Sequence, residues 1–175
     1  MKIGIIGKMC TGKTTLANLI TRLDPRHQRY SFGKGVKEVA TRYFNMKYKH
    51  RSLLIQVATQ LKQIDPDVWI HYLFRQIKDS NYCVIDDVRH QNELDYLIEQ
   101  GWFLIRLTLN EKERIRRLQH IYPNTYQDHI ENMEDISEQC DNLIFPKSYP
   151  VLTIHTDQPQ QSINLTILSL LEKNK

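Results

Sequence analysis

The chain has 175 residues, 41% of them hydrophobic and 25% charged, with six Gly and six Pro, which allows one domain with insertions and excludes collagen-like, low-complexity and wholly disordered chains. Its net charge of +4 is unevenly laid out: nine Lys or Arg face two acids between Arg22 and Arg51, whereas Asn124 to Asp141 holds six acids and no Lys or Arg. No apolar run reaches the roughly 18–20 residues of a membrane span, and the three cysteines, Cys10, Cys83 and Cys140, are too few and too far apart for a disulfide frame, so a soluble cytoplasmic protein with no membrane partner is expected.

Lys2 to Ile6 reads as a short buried strand, and Leu16, Leu19, Ile20 and Leu23 follow Gly7 at helical spacing. Arg29 to Phe32 reads as a second strand, broken by Gly33 to Gly35 before a helix over about 36–45. After a polar connection, the helix over about 51–64 carries Leu53, Leu54, Val57, Ala58, Leu61 and Ile64 on one face, with Gln56 and Gln60 along its edge. Asp65 and Pro66 open the next helix, which runs from Val68 to Ile77. Tyr82 to Ile85 is a continuous apolar run ended by two acids, the pattern of a strand buried on both faces of a parallel sheet. Gln91 to Gln100 reads as a helix closed by Gly101, Trp102 to Leu109 as a strand, and Asn110 as the cap of a charged helix from Glu111 to about His120. The stretch Ile121 to Cys140 has no strong period and reads as a mobile flap. Asp141 to Phe145 and Val151 to His155 read as the last strands, and Pro159 to Glu172 as a closing helix. Strands alternating with helices imply an α/β fold, doubly wound, in a single domain over 1–175.

Two constellations carry chemistry. Gly7-Lys8-Met9-Cys10-Thr11-Gly12-Lys13-Thr14 fits G-x-x-x-x-G-K-[ST] after a first strand and at the opening of a helix. Backbone N–H groups from Met9 to Lys13 wrap a phosphate, Lys13 reaches the β and γ phosphates, and the hydroxyl of Thr14, with Thr15 following, serves Mg²⁺. ATP and Mg²⁺ are therefore the expected cofactors. The base-reading N-K-x-D and switch D-x-x-G of GTPases do not occur, and the length does not suit a large motor, which leaves the small kinases. The second constellation is Val84-Ile85-Asp86-Asp87-Val88-Arg89 with Asn92-Glu93. A carboxylate at a strand end beside the phosphate loop can hold a metal-bound water or accept a proton, and Arg89 can clamp an anionic oxygen. Asp87, closer to Arg89, is chosen over Asp86. The basic segment before Arg51 is read as a solvated face or as a site for a phosphorylated substrate. Without a basic tail, finger spacing or stacking-aromatic motif, no nucleic acid partner is expected.

Four stretches, GKMCTGKTT at 7–15, SFGKGVKE at 31–38, RSLLIQVATQLKQIDPDVW at 51–69 and VIDDVRHQNE at 84–93, together resemble the deoxynucleoside monophosphate kinases of phages and large viruses, with SEQCDNLI at 137–144 as a weaker continuation. The resemblance implies a three-layer P-loop kinase fold: a five-stranded parallel sheet flanked by helices, an acceptor-binding insertion over about 31–80 and a helical lid over about 111–140. It implies phosphorylation of (deoxy)nucleoside 5′-monophosphates to diphosphates, in the host cytoplasm if the protein is viral. Ser31, Phe32 and Lys37 match its acceptor stretch, Arg51 would hold the acceptor phosphate, and Gln56, with Gln60 beside it, the base or sugar. Trp69 matches its tryptophan and is read as packing. Arg114 and Arg117 would close over the transferring phosphoryl group, excluding water that otherwise hydrolyses the triphosphate.

The chain departs from that family at Gly33 and Gly35, where alanine and proline are usual, and in the acidic run from Asp128 to Asp141, whose charge opposes closure over a polyphosphate. Two alternatives stay open: a phosphomevalonate-type kinase of the same fold, and an ATP-binding switch without an acceptor. Adenine contacts are placed by position alone around Phe145 to Tyr149, and monomer and homodimer are both compatible with the sequence.

Overall fold

The computed structural model describes residues 1–77, 80–124, 126–131 and 140–174. These residues fall into two compact units, one built from Met1–Arg29 with Asn81–Lys175 and the other from Tyr30–Ser80.

The first unit is built on strands β1 (Lys2–Ile6), β3 (Cys83–Val88), β4 (Phe103–Thr108) and β5 (Val151–His155), with β2 (Gln28–Tyr30) at the edge, in the order β2-β3-β1-β4-β5. The sheet is parallel: β1 lies between β3 and β4, and β5 runs beside β4. Central β1 is covered on both faces, which explains its unbroken apolar run. On one side Ile3 and Ile5 pack with Leu16, Leu19 and Ile20 of α1 (Lys13–Leu23) and with Ile163, Ile167 and Leu171 of α8 (Gln160–Lys173). On the other, Gly4 leaves room for Leu97 of α5 (Gln91–Glu99): a Cβ there would stand 2.9 Å from a Leu97 methyl. The expected five-stranded, helix-flanked P-loop kinase-like fold is what forms.

The second unit holds α2 (Gly33–Phe44), α3 (Arg51–Ile64) and α4 (Val68–Phe74). His50 caps α3 by accepting the Leu53 N–H at 3.1 Å. Val36, Ala40, Val57 and Trp69 form its core, with Leu53, Leu54, Ala58, Leu61 and Tyr72 against them. Trp69 is packing here, as its spacing suggested, and its indole N–H donates to the Ala58 carbonyl at 3.3 Å. Gly33 and Gly35 do not break the chain before α2 but lie inside it.

One strand reading needs correction. Asp141 to Phe145 is no strand: Cys140–Asn142 is a 3₁₀ turn, and Ile144 beyond it is bonded by a side chain. Gln91 donates from Nε2 to the Ile144 carbonyl at 3.0 Å and accepts the Ile144 N–H on Oε1 at 2.9 Å, so an amide supplies the bonds a neighbouring strand would have made. Within the segment read as a flap, Tyr126–Glu131 forms a short helix, α7. The rest of that reading, over 132–139, lies outside the described residues, as does most of the SEQCDNLI stretch.

Candidate active site

The chain leaves the carboxyl end of β1 at Gly7, where ligands of open α/β sheets bind. Gly7 is required by space: a Cβ would stand 2.8 Å from the Leu107 carbonyl oxygen and 2.7 Å from Thr11 Oγ1. Gly12 is required by conformation, with φ 94° at the N-cap of α1 and open space around it. Thr11, 2% exposed, ties the loop by donating to the Lys8 carbonyl at 2.8 Å. Lys13, the first residue of α1, donates from Nζ to the carbonyls of Gly7 (2.5 Å) and Lys8 (2.7 Å), which places its ammonium over the loop. Met9 is buried, whereas Cys10 adopts a left-handed backbone with φ 65°. The loop, α1 and the helix start thus present the amides, ammonium and hydroxyl that the phosphate-loop pattern calls for.

Thr14 Oγ1 donates to Asp86 Oδ2 at 3.0 Å. Asp86 is 4% exposed, and the same oxygen accepts from Arg29 at 2.7 Å. Asp86 is thus a carboxylate beside the phosphate loop, next in the chain to Asp87, the acid that the sequence analysis singles out. In the ladder Gly4 of β1 pairs with Ile85 and Ile6 with Val88, so two residues of β3, Asp86 and Asp87, stand against one residue of β1. A bulge of this kind re-aims side chains, and simple alternation cannot assign their faces. Asp87 is half-buried. Thr14 and Asp86 offer two hard oxygens beside a triphosphate cradle, a donor set that fits Mg²⁺, which takes few protein ligands and shares the rest with phosphate and water.

Arg89 follows β3, and its backbone is fixed by Glu93. That buried carboxylate accepts the N–H groups of Arg89 (2.8 Å) and His90 (3.1 Å) at the start of α5. Glu93 of the N-E pair is thus a strut for the arginine turn.

Charge also surrounds the loop's first lysine. Asp141 pairs with Lys8 at 2.8 Å and with Arg106 at 3.2 Å. Burial pushes the Asp141 carboxyl up, but Lys8 and Arg106 outweigh it and hold it below the ordinary carboxylate range. The last acid of the unexpected acidic run therefore faces the phosphate loop and neutralises a lysine there. Cys140 beside it donates its thiol to the Gly7 carbonyl at 3.5 Å.

Helix α6 (Glu111–Ile121) starts at its Asn110 cap, whose side chain accepts the Lys112 N–H at 2.9 Å. Arg114 is buried and forks onto Glu111 at 3.0 and 2.5 Å. Those bonds lower the Glu111 carboxyl against the opposing effect of burial, with the charges of Arg114 and Lys8 adding to them. Arg117 bonds Glu113 at 3.0 Å and the Thr156 carbonyl at 2.8 Å. Both arginines read as lid residues thus have protein partners on and next to α6.

The acceptor candidates lie in the second unit. Ser31 is half-buried and Phe32 is 3% exposed ahead of α2. Lys37 stands exposed on α2, Arg51 is the first residue of α3, and Gln56 and Gln60 are exposed one turn apart on α3. Of the residues the sequence passed over, Asp86 and Glu93 lay inside the quoted motif. Arg29 and Asp141 had no local pattern, because their partners are 57 and 133 positions away.

A family model described as an AAA domain matches residues 3–144. None of the curated proteins matches the chain in sequence. Among solved structures, a sugar kinase from Janibacter sp. HTCC2649 is similar with a TM-score of 0.55 and 12% identity, over 98% of this chain and 94% of that one. A gluconokinase from Sinorhizobium meliloti 1021 gives 0.53 and 14%, over 99% and 94%. The protein TT1252 from Thermus thermophilus gives 0.55 and 14%, over 99% and 97%. At these identities the likeness is one of fold.

Proposed function

Because this chain belongs to the AAA_18 family of AAA domains, we propose that it is a phosphotransferase that moves the γ-phosphoryl group of ATP, with Mg²⁺, onto the phosphate of a nucleoside 5′-monophosphate, the deoxy form foremost. The observation that carries the reading is the Thr14–Asp86 hydrogen bond at the mouth of the Gly7–Thr14 loop. It joins a metal-binding hydroxyl to a buried carboxylate beside the lysine that meets the β and γ phosphates. A Mg²⁺ ion held by Thr14 and Asp86 would neutralise charge developing on the transferred group. The protein's own part is positioning: loop amides and Lys13 hold the triphosphate, and Arg89 clamps an anionic oxygen from a turn fixed by Glu93. The monophosphate acceptor rests on the resemblance of residues 31–38 and 51–69, which supply Ser31, Phe32, Lys37, Arg51, Gln56 and Gln60. Deoxynucleotide metabolism and a viral setting follow from the same resemblance.

The test is ADP release with Mg²⁺ and ATP against deoxy- and ribonucleoside monophosphates, with gluconate, as in the name of one fold neighbour, and phosphomevalonate alongside. Strong stimulation by one or more nucleoside monophosphates is expected, and Lys13→Ala should reduce it by about 10²–10³-fold or more. Stimulation only by gluconate or phosphomevalonate would replace the acceptor. ATP binding without any stimulated turnover would replace the kinase with a nucleotide-binding switch.

A further inference from the structure

Asp86 Oδ2 is a shared acceptor. It takes the Thr14 hydroxyl at 3.0 Å and Nη2 of Arg29 at 2.7 Å, and that nitrogen also lies 3.3 Å from Thr14 Oγ1. Arg29 Nη1 reaches Asn18 Oδ1, one turn further along α1, at 3.4 Å. The carboxylate side chain is 4% exposed and the guanidinium 39%. One positive group of the protein's own thus bridges the two oxygens that suit a divalent cation.

We propose that Arg29 is a built-in stand-in for the metal: it pairs with Asp86 and Thr14 until a metal–nucleotide complex displaces it, so that guanidinium and Mg²⁺ compete for the same oxygen. This rests on the kinase reading above. A buried carboxylate without a counter-charge is costly, and Arg29 removes that cost while keeping the hydroxyl and carboxylate in register. A guanidinium is weakly hydrated and planar, and it makes directional bonds with one unit of charge. At a half-exposed position it is held loosely enough to leave. A divalent ion at the same oxygen repels it at short range, and the pair must open for the ion to enter. The device raises the metal concentration at which nucleotide binding becomes tight, and it ties release of a side chain at the end of the first unit to metal arrival.

The experiment is calorimetric titration of ADP into wild type, Arg29→Gln and Arg29→Lys over a series of Mg²⁺ concentrations. The Mg²⁺ midpoint for tight ADP binding should fall about five-fold in Arg29→Gln, with a smaller fall in Arg29→Lys, which keeps the charge and loses the fork. A midpoint that is unchanged or higher in Arg29→Gln, with ADP still bound, overturns the inference. If Arg29→Gln does not fold, Arg29→Lys alone decides it, since an unchanged or higher midpoint there is equally fatal. Failure of the wild type to bind ADP at any Mg²⁺ concentration would instead remove the kinase reading.

Discussion

A hydroxyl next to a phosphate-loop lysine and a buried carboxylate 3.0 Å from it form a small metal-ready pair, and in this chain the pair is Thr14 and Asp86. Asp86→Asn keeps the size and one acceptor oxygen but loses the charge. Turnover should fall by about 10²-fold or more, with a higher Mg²⁺ requirement, whereas Asp87→Asn should leave the Mg²⁺ requirement unchanged. Steady-state rates over a Mg²⁺ series distinguish them, and the reverse pattern would move the metal's partner to Asp87. The loop itself was fully legible in the sequence, because its chemistry lies within eight consecutive residues. The meeting of Asp86 with Thr14 was not, because it lies at a bulge, and a bulge is a property of two paired strands. Arg29 was hidden for a related reason: a lone arginine in a basic segment carries no mark of the carboxylate it meets 57 positions later.

Helices were read well where an apolar period and a cap coincide. Helix α3 starts and ends where the spacing put it, and Trp69 packs as expected. Helix α2 shows what a sequence period misses. Gly33 and Gly35 look like breakers, yet Gly35 is buried within the helix, where a Cβ would lie 2.8 Å from a Tyr72 ring carbon and 3.0 Å from Trp69. Neither ring can yield freely. Tyr72 donates to Glu38 at 2.5 Å, and Trp69 donates to Ala58. Gly35→Ala gains helix propensity of up to about 1 kcal/mol but overpacks this contact at a cost of about 1–3 kcal/mol. A net loss of roughly 1 kcal/mol is expected in urea unfolding, and Gly35→Ala combined with Tyr72→Ala should show strong positive coupling, since the smaller residue removes the clash. Additive losses would mean that α2 and α4 shift apart instead.

At five places among the described residues, an acid is held in charged form by arginine, lysine or histidine. Asp24 accepts Arg26 through two bonds of 2.8 Å and is driven well below the ordinary range. Arg116 and Arg117 pull Glu113 down to about 2, while His71 and the Asp67 N–H lower Asp65. With Glu111 and Asp141 these carboxyls bind protons more weakly folded than unfolded, so their contribution is full above their unfolded values of 3.8 to 4.5 and is lost as pH falls through the lower folded values. Melting temperature should therefore drop steeply below about pH 4. Asp24→Asn should cost about 2–4 °C at pH 7 and flatten the acid slope. An unaltered slope would assign the acid sensitivity to other groups. The parallel sheet and its flanking helices were legible from alternating periods, whereas the connection after the acidic run was misread as a strand because an apolar segment looks the same whether a strand or a side chain holds it. Ile144 is fastened by the amide of Gln91 and not by a ladder. A ladder would fix Ile144 in register with a neighbouring strand; the Gln91 amide fixes one residue from the start of α5. The turn at Cys140 and Asp141 can therefore settle against Gly7 and Lys8 of the phosphate loop with no strand register to satisfy.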